Sequence, residues 1–100
     1  MTHLGKLIDR RLEELGWERQ RLAKELKIVP VSVSRWLRPE GDTHVSWHFY
    51  HLLSAVLRIR VKDILEAAQK DTPKYVAAYQ RFFGSVKVWN GEARPRRPKL

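Results

Sequence analysis

Arginine and lysine are the side chains of this chain most suited to binding a ligand, and they cluster in one stretch. Residues 17–38 contain six basic residues and only two acidic ones, Glu18 and Glu25. The six are Arg19, Arg21, Lys24, Lys27, Arg35 and Arg38. Guanidinium and ammonium groups bind phosphate oxygens by charge-assisted hydrogen bonds. Since the 100-residue chain carries a formal net charge of +9, nucleic acid is the partner that its composition favours.

Other residues that could do chemistry form weaker patterns. His44, His48 and His51 have spacings compatible with a metal site on a loop and one helix face, but surface or half-buried histidines give the same pattern more often. The chain has no cysteine, which excludes disulfides, thiol nucleophiles and Cys-based zinc sites. It also contains no nucleophile elbow, phosphate-binding glycine loop or paired carboxylates. We therefore predict no metal, no cofactor and no enzymatic activity.

Apolar residues recur at helical spacing along most of the chain, which predicts an all-α fold. Gly16 follows the first stripe as a natural helix end, and Pro30 suits the first turn of a third helix. Ser46 is a plausible N-cap, and Thr72–Pro73 opens a sixth, aromatic helix. The predicted helices cover residues 4–15, 18–26, 30–38, 46–57, 61–68 and 73–83.

The last part of the chain differs in composition from the rest. Residues 85–89 alternate apolar and polar side chains, which is compatible with a short strand. Residues 90–100 contain two prolines and four basic residues and predict a flexible basic tail. The predicted organisation is a domain over 1–70, a C-terminal element over 71–89 and the tail. No apolar run is long enough for a membrane helix and no signal peptide is evident, so we expect a cytoplasmic protein without a membrane partner.

Residues 19–38 predict two short helices joined by a tight turn and packed at a steep angle. Such a crossing needs a small residue at the point of contact, and Ala23 supplies it. Apolar side chains are needed on the inner face of each helix and in the turn. They are provided by Leu22, Leu26, Ile28, Val33 and Trp36.

This stretch resembles the helix-turn-helix of the Cro/repressor (Xre-like) family of lambda-type regulators. The flanking sequences "LEELGW" and "HLLSAVLRIRVKDIL" are similar to the helices around that motif, so the resemblance covers residues 4–66. It implies a five-helix, lambda-repressor-like DNA-binding domain, here followed by an additional helix. The sequence departs from the family at Lys27, where glycine is usual, and at Glu18–Arg19, where Thr–Gln is usual. Its recognition helix also begins Pro30, Val31, Ser32 and has few long amide side chains.

The resemblance implies that the helix over residues 30–38 lies in the major groove of double-stranded DNA. The side chains then expected to contact bases are Pro30, Val31, Ser34 and Arg35. Those expected to contact phosphates are Arg19, Ser32 and Arg38. A small operator-bound protein of this kind blocks polymerase without further parts, so we predict a repressor of bacterial or phage type.

Such proteins bind palindromic operators as homodimers, and the aromatic helix is the candidate dimerisation element. Its stripe consists of Tyr75, Val76, Tyr79, Phe82 and Phe83. The same stripe is equally compatible with packing inside a single chain. Two alternative functions remain open at the level of sequence. One is an antitoxin whose C-terminal part binds a protein partner, and the other is a basic protein that binds nucleic acid without sequence preference.

Overall fold

The computed structural model describes residues 1–83, and this part of the chain consists of six α-helices and one 3-10 turn, without a strand. The all-α prediction is confirmed for these residues, whereas the predicted strand at 85–89 and the tail at 90–100 lie outside them. The elements are α1 (His3–Leu15), α2 (Arg19–Leu26), α3 (Pro30–Trp36), a 3-10 turn (Trp47–Phe49), α4 (Tyr50–Leu57), α5 (Val61–Asp71) and α6 (Pro73–Phe83). Within residues 1–83, no helix is both long and apolar enough to cross a membrane.

One hydrophobic core joins all six helices. Helix α1 packs on α5, α2 packs on α3 and α4, and α6 packs on α5 and the 3-10 turn. Nine of the larger side chains are almost completely removed from solvent. They are Ile8, Leu22, Val33, Leu37, Val45, Tyr50, Leu53, Leu57 and Ile64.

Three helices end at a residue in the left-handed conformation, which closes the last turn by backbone hydrogen bonds. Gly16 ends α1 with φ of 70°, as the sequence predicted. Lys27 ends α2 with φ of 60°, and Arg58 ends α4 with φ of 58°. The family resemblance placed a positive φ at Lys27, and the backbone has it there despite the absence of glycine.

The N-terminus of α1 is capped from two directions. The Thr2 hydroxyl accepts a hydrogen bond from the Gly5 N–H at 2.9 Å. The Asp71 carboxylate, at the end of α5, accepts from the N–H groups of His3 and Leu4, each at 3.1 Å. This contact ties the two helices together at their ends.

Several predicted helix limits differ from the structure. The second helix begins at Arg19 with Glu18 as its N-cap, and the third ends at Trp36 rather than 38. Ser46 is an N-cap as predicted, accepting from the His48 N–H, but the turn it caps is a 3-10 turn that precedes α4. Leu52 of α4 is 46% exposed, although an apolar residue in a helix of this kind is expected on the buried face.

Candidate nucleic-acid interface

Helix α2 packs on α3, and Ala23 of α2 is 1% exposed. The three residues between the helices form a tight turn, in which the Ile28 N–H donates to the Ala23 carbonyl oxygen at 3.0 Å. Leu22 and Val33 are completely buried beside it. The position of Ala23 at the crossing of the two helices stays a prediction, with which its burial agrees.

Helix α3 has one buried and one exposed face. Val33, Trp36 and Leu37 point into the core and are at most 6% exposed. The opposite face carries four exposed residues at the spacing i, i+3, i+4 and i+7, which places them along one line of the helix and its immediate extension. They are Val31, Ser34, Arg35 and Arg38. We call these four residues the outward face of α3.

The arginines around the outward face have no acidic partner. Among residues 1–83, the ion pairs join His3 to Asp71, Arg11 to Glu14 and Arg60 to Asp63, and none involves Arg19, Arg35 or Arg38. Arg19 instead lies against the end of α3, with its Nη2 3.5 Å from the Leu37 carbonyl oxygen. The positive charge of this surface is therefore not neutralised within the described part of the chain.

Of the predicted phosphate-binding residues, Arg38 is the last member of the outward face, and Arg19 and Ser32 lie outside it. Arg19 and Arg38 are exposed, and Ser32 is half-buried. The stem of Arg38 lies against Gly41, whose N–H donates to the Arg38 carbonyl oxygen at 3.0 Å. All seven residues of the predicted DNA-contacting set thus lie on or beside α3.

An exposed apolar residue at the start of α3 was not among the predicted contacts. Val29 is 59% exposed and precedes Pro30, and Val31 is 51% exposed. Valine is a poor N-cap, because it has no side-chain oxygen to accept a hydrogen bond from the first turn. The signal for it in the sequence was this choice of an apolar residue where Ser, Thr or Asp is favoured. The start of α3 is therefore an apolar surface next to unpaired arginines.

The cation–π contact between Arg21 and Trp17 was also not predicted from the sequence. The Arg21 guanidinium lies 4.2 Å from the centroid of the Trp17 ring. Trp17 follows the left-handed Gly16 in the connection between α1 and α2. The contact holds one basic side chain of the 17–38 cluster against the connection, away from the outward face.

The predicted dimerisation residues divide between core and surface. Val76 and Tyr79 are 4% and 6% exposed, so they pack inside this chain and offer no side chain to a second copy. The Tyr79 hydroxyl lies 3.1 Å from His51 Nδ1, and burial raises the pKa of Tyr79. Tyr75 and Phe83 are half-buried, and Phe82 is 68% exposed. Within this chain Val76 and Tyr79 therefore lie in the core, and Phe82 is the most exposed of the five predicted residues, whose role in a dimer stays a prediction.

The three histidines contact aromatic rings rather than one another's ring nitrogens. His44 lies edge-on to Tyr75, His48 stacks on Trp47 with centroids 3.8 Å apart, and His51 stacks on Phe83. In the described part of the chain, no group of three or more His, Cys, Asp or Glu side chains is placed to hold a metal ion. These histidines therefore give no support to a metal site.

Comparison of the chain with protein-family models, curated proteins and solved structures finds no match in any of the three. The argument for a function therefore comes from the geometry of α2 and α3. A short helix held by its apolar face, with unpaired arginines on the other, is suited to lie against a polyanion.

Proposed function

We propose that the protein is a sequence-specific, double-stranded DNA-binding regulator in which α2 and α3 form a helix-turn-helix of the lambda-repressor type. The observation that carries the proposal is the outward face of α3, which is exposed, free of acidic residues and without ion pairs in residues 1–83. A helix presented in this way fits the major groove, whose width accepts one α-helix. Helices α1, α4 and α5 then serve as the scaffold of a five-helix domain.

Base recognition is assigned to Val31, Ser34 and Arg35 of the outward face and to the start of α3. The Arg35 guanidinium donates to O6 and N7 of a guanine, and the Ser34 hydroxyl bonds a neighbouring base edge. Val31 contacts a thymine methyl group, and the exposed Val29 and Pro30 extend the same apolar surface. Apolar side chains carry sequence information in the major groove because thymine alone presents a methyl group there.

Phosphate contacts are assigned to Arg19, Ser32 and Arg38 at the margins of α3. Arg19 lies against the C-terminal end of α3, with its Nη2 3.5 Å from the carbonyl oxygen of Leu37, the residue before Arg38, so the two arginines can bind the DNA backbone at the same end of the helix. Such contacts position the helix without reading sequence. We further propose that two copies bind a palindromic operator and that the bound dimer acts as a repressor.

The proposal is tested first by selecting duplexes from a random pool with the purified full chain. The selected duplex and a scrambled one are then compared by fluorescence anisotropy across a series of salt concentrations. Specific sites commonly bind about 10³-fold or more tightly than unrelated DNA. We expect a gap of that order that persists as salt rises. Selection without a consensus, followed by equal binding that collapses with salt, would show a charge-driven binder instead.

Two arginine variants separate base recognition from phosphate binding. Arg35→Ala should weaken the selected duplex by ~1–3 kcal/mol and relax preference at one base position. Arg38→Ala should weaken binding to all duplexes similarly. It should also reduce the slope of log affinity against log salt by about 0.9, the value for one phosphate contact. Lys62→Ala is the matched control, because Lys62 is an exposed cation on α5, which packs mainly on α1, α4 and α6. If Arg35→Ala and Lys62→Ala behave alike, Arg35 does not read a base.

A further inference from the structure

A second basic surface lies away from α3, in a cleft between α1 and the turn that joins α4 to α5. The cleft has a volume of about 250 Å³. Leu7 and Ile59 form its apolar part, and Ile59 is 8% exposed. Four arginines line the cleft, two from α1 and two from the turn. They are Arg10, Arg11, Arg58 and Arg60.

The cleft holds more positive than negative charge. Its two carboxylates are each bound by one arginine: Arg11 Nη1 lies 3.0 Å from Glu14 Oε1, and Arg60 Nε lies 3.1 Å from Asp63 Oδ2. Arg10 and Arg58 form no ion pair with any residue of the described range 1–83. Two guanidinium groups therefore border the cleft with their charge uncompensated.

The backbone around the cleft is held by specific hydrogen bonds. Arg11 Nε donates to the Leu57 carbonyl oxygen at 2.8 Å, which ties α1 to the end of α4. The Ser54 hydroxyl donates to the Ile59 carbonyl oxygen at 2.6 Å, and the Arg58 N–H donates to the Ser54 carbonyl oxygen. Arg58 itself has φ of 58°, a conformation in which an arginine is strained and glycine is not. An arginine therefore occupies a position where the backbone conformation favours glycine.

We propose that this cleft binds a phosphate group through Arg10 and Arg58, with Arg11 and Arg60 at its margins. Arginine is suited to this ligand because its planar N–H groups match two phosphate oxygens at once. The apolar side chains of Leu7 and Ile59 form the floor beside the two uncompensated guanidinium groups, which are themselves exposed to an incoming ligand. The phosphate comes either from the DNA backbone or from a free phosphorylated molecule, and the chemistry of the cleft is the same for both.

The test is a titration of the ¹⁵N-labelled full chain with inorganic phosphate at constant ionic strength, followed by amide NMR spectra. We expect saturable shifts at the amides of residues 58–60. Arg58→Gly should weaken binding roughly tenfold, the loss expected for a charge-assisted hydrogen bond. Because glycine relieves the strained φ, this variant keeps the fold. Arg10→Ala should act in the same direction, whereas Lys62→Ala, outside the cleft, should leave phosphate binding unchanged. Shifts spread over all basic surfaces, or equal binding by Arg58→Gly, would overturn the proposal.

DNA binding by the same variants identifies the source of the phosphate. If the DNA backbone occupies the cleft, Arg58→Gly should weaken all duplexes and lower the slope of log affinity against log salt by about 0.9. Unchanged DNA affinity, with phosphate binding lost, assigns the cleft to a free phosphorylated molecule. The site does not depend on the proposed function: failure to select a DNA consensus would remove the regulator and leave the phosphate titration as it stands.

Discussion

Lys27 closes α2 with φ of 60° and ψ of 43°, a conformation that costs a residue with a Cβ atom about 1–2 kcal/mol. Lys27→Gly removes this strain but adds about 0.5–1 kcal/mol of backbone entropy to the unfolded chain. We expect the glycine variant to equal the wild type or exceed its free energy of unfolding by up to ~1 kcal/mol. Lys27→Val should lose ~1–2 kcal/mol, because a β-branched side chain tolerates positive φ least. Urea unfolding followed by circular dichroism compares the two, and a glycine variant weaker than the valine variant would contradict the assignment.

Tyr50 is completely buried, and its hydroxyl has no hydrogen-bond partner among residues 1–83. Burying such a group costs about 1–3 kcal/mol, so Tyr50→Phe should leave the free energy of unfolding unchanged or raise it. Tyr79→Phe is the matched contrast, because the Tyr79 hydroxyl has a partner in His51 at 3.1 Å. That variant should lose ~0.5–1.5 kcal/mol. A larger loss from Tyr50→Phe than from Tyr79→Phe would show that a buried water satisfies Tyr50.

The raised pKa of Tyr50 predicts that the stability of the protein depends on pH in the alkaline range. Burial, reinforced by the nearby Tyr75 and Asp71, raises the pKa of Tyr50 from 10.0 to about 12. Between these values the unfolded chain loses the phenol proton while the folded chain keeps it. The wild type should therefore lose stability as pH rises from 10 towards 12, and Tyr50→Phe should lose less.

At the scale of whole elements, the contact between Asp71 and the start of α1 joins residues far apart in sequence. Asp71→Ala should lower the free energy of unfolding by ~1–3 kcal/mol, because it removes a carboxylate that accepts from two N–H groups and from His3 Nδ1 at 2.7 Å. Asp42→Ala is the control, since Asp42 is exposed in the loop after α3. If thermal unfolding shows the same loss of stability for both variants, Asp71 does not stabilise the protein by capping α1.

The pKa of Asp71 also predicts how the free energy of unfolding falls at acidic pH. Burial raises the pKa of Asp71, but the hydrogen bonds from His3 and Leu4 and the charge of His3 outweigh it, so the net pKa lies below 3.8. The folded state therefore favours the ionised carboxylate. Its contribution is present above pH 3.8 and is lost as pH falls through the lower folded-state value. Asp71→Ala should consequently flatten the loss of stability below pH 4.

Helix positions were largely predictable because their signals are local. Gly16, Pro30 and Pro73 mark helix limits that the structure confirms, since each acts through its own backbone. The exposure of Leu52 was not predictable, because it depends on which neighbours α4 packs against. The Asp71 cap was missed for the same reason: its partners lie 67 and 68 residues away.

Val31, Ser34 and Arg35 were predicted from the family resemblance, and their exposure agrees with helical period, which places them opposite the buried Val33 and Trp36. Val29 was missed because rules for N-caps favour polar residues there. The division of the aromatic stripe between core and surface also needed the structure, because Val76 and Phe82 are both apolar and only packing distinguishes them.

For the molecule as a whole, α6 is part of the core rather than an appendage. Val76 and Tyr79 are buried against α5 and α4, and Tyr50 and Tyr79 have ring centroids 5.6 Å apart. Removing residues 72–100 would expose this core. A point substitution on the surface of α6 therefore tests an interface better than this truncation does, because it leaves the core intact.

Phe82 provides that test of the proposed homodimer. It is 68% exposed, and its ring centroid lies 5.6 Å from that of the half-buried Trp47 and 4.9 Å from that of Phe83. If this aromatic surface joins two copies, Phe82→Asp buries a charge in the interface and should convert dimer to monomer in sedimentation equilibrium. Its circular dichroism spectrum should remain that of the wild type, because the side chain is exposed in the single chain, and its unfolding midpoint should lose any dependence on protein concentration.

Leu52→Asp is the control, a similar substitution at an apolar residue of α4 that is 46% exposed. We expect it to remain dimeric. A palindromic operator requires two α3 helices about 34–36 Å apart, so loss of the dimer should weaken the full operator far more than an isolated half-site. If Phe82→Asp stays dimeric, the interface lies on another surface. If the wild type is itself a monomer at micromolar concentration and binds one half-site, the homodimer is excluded and the groove contacts of α3 must supply the specificity alone.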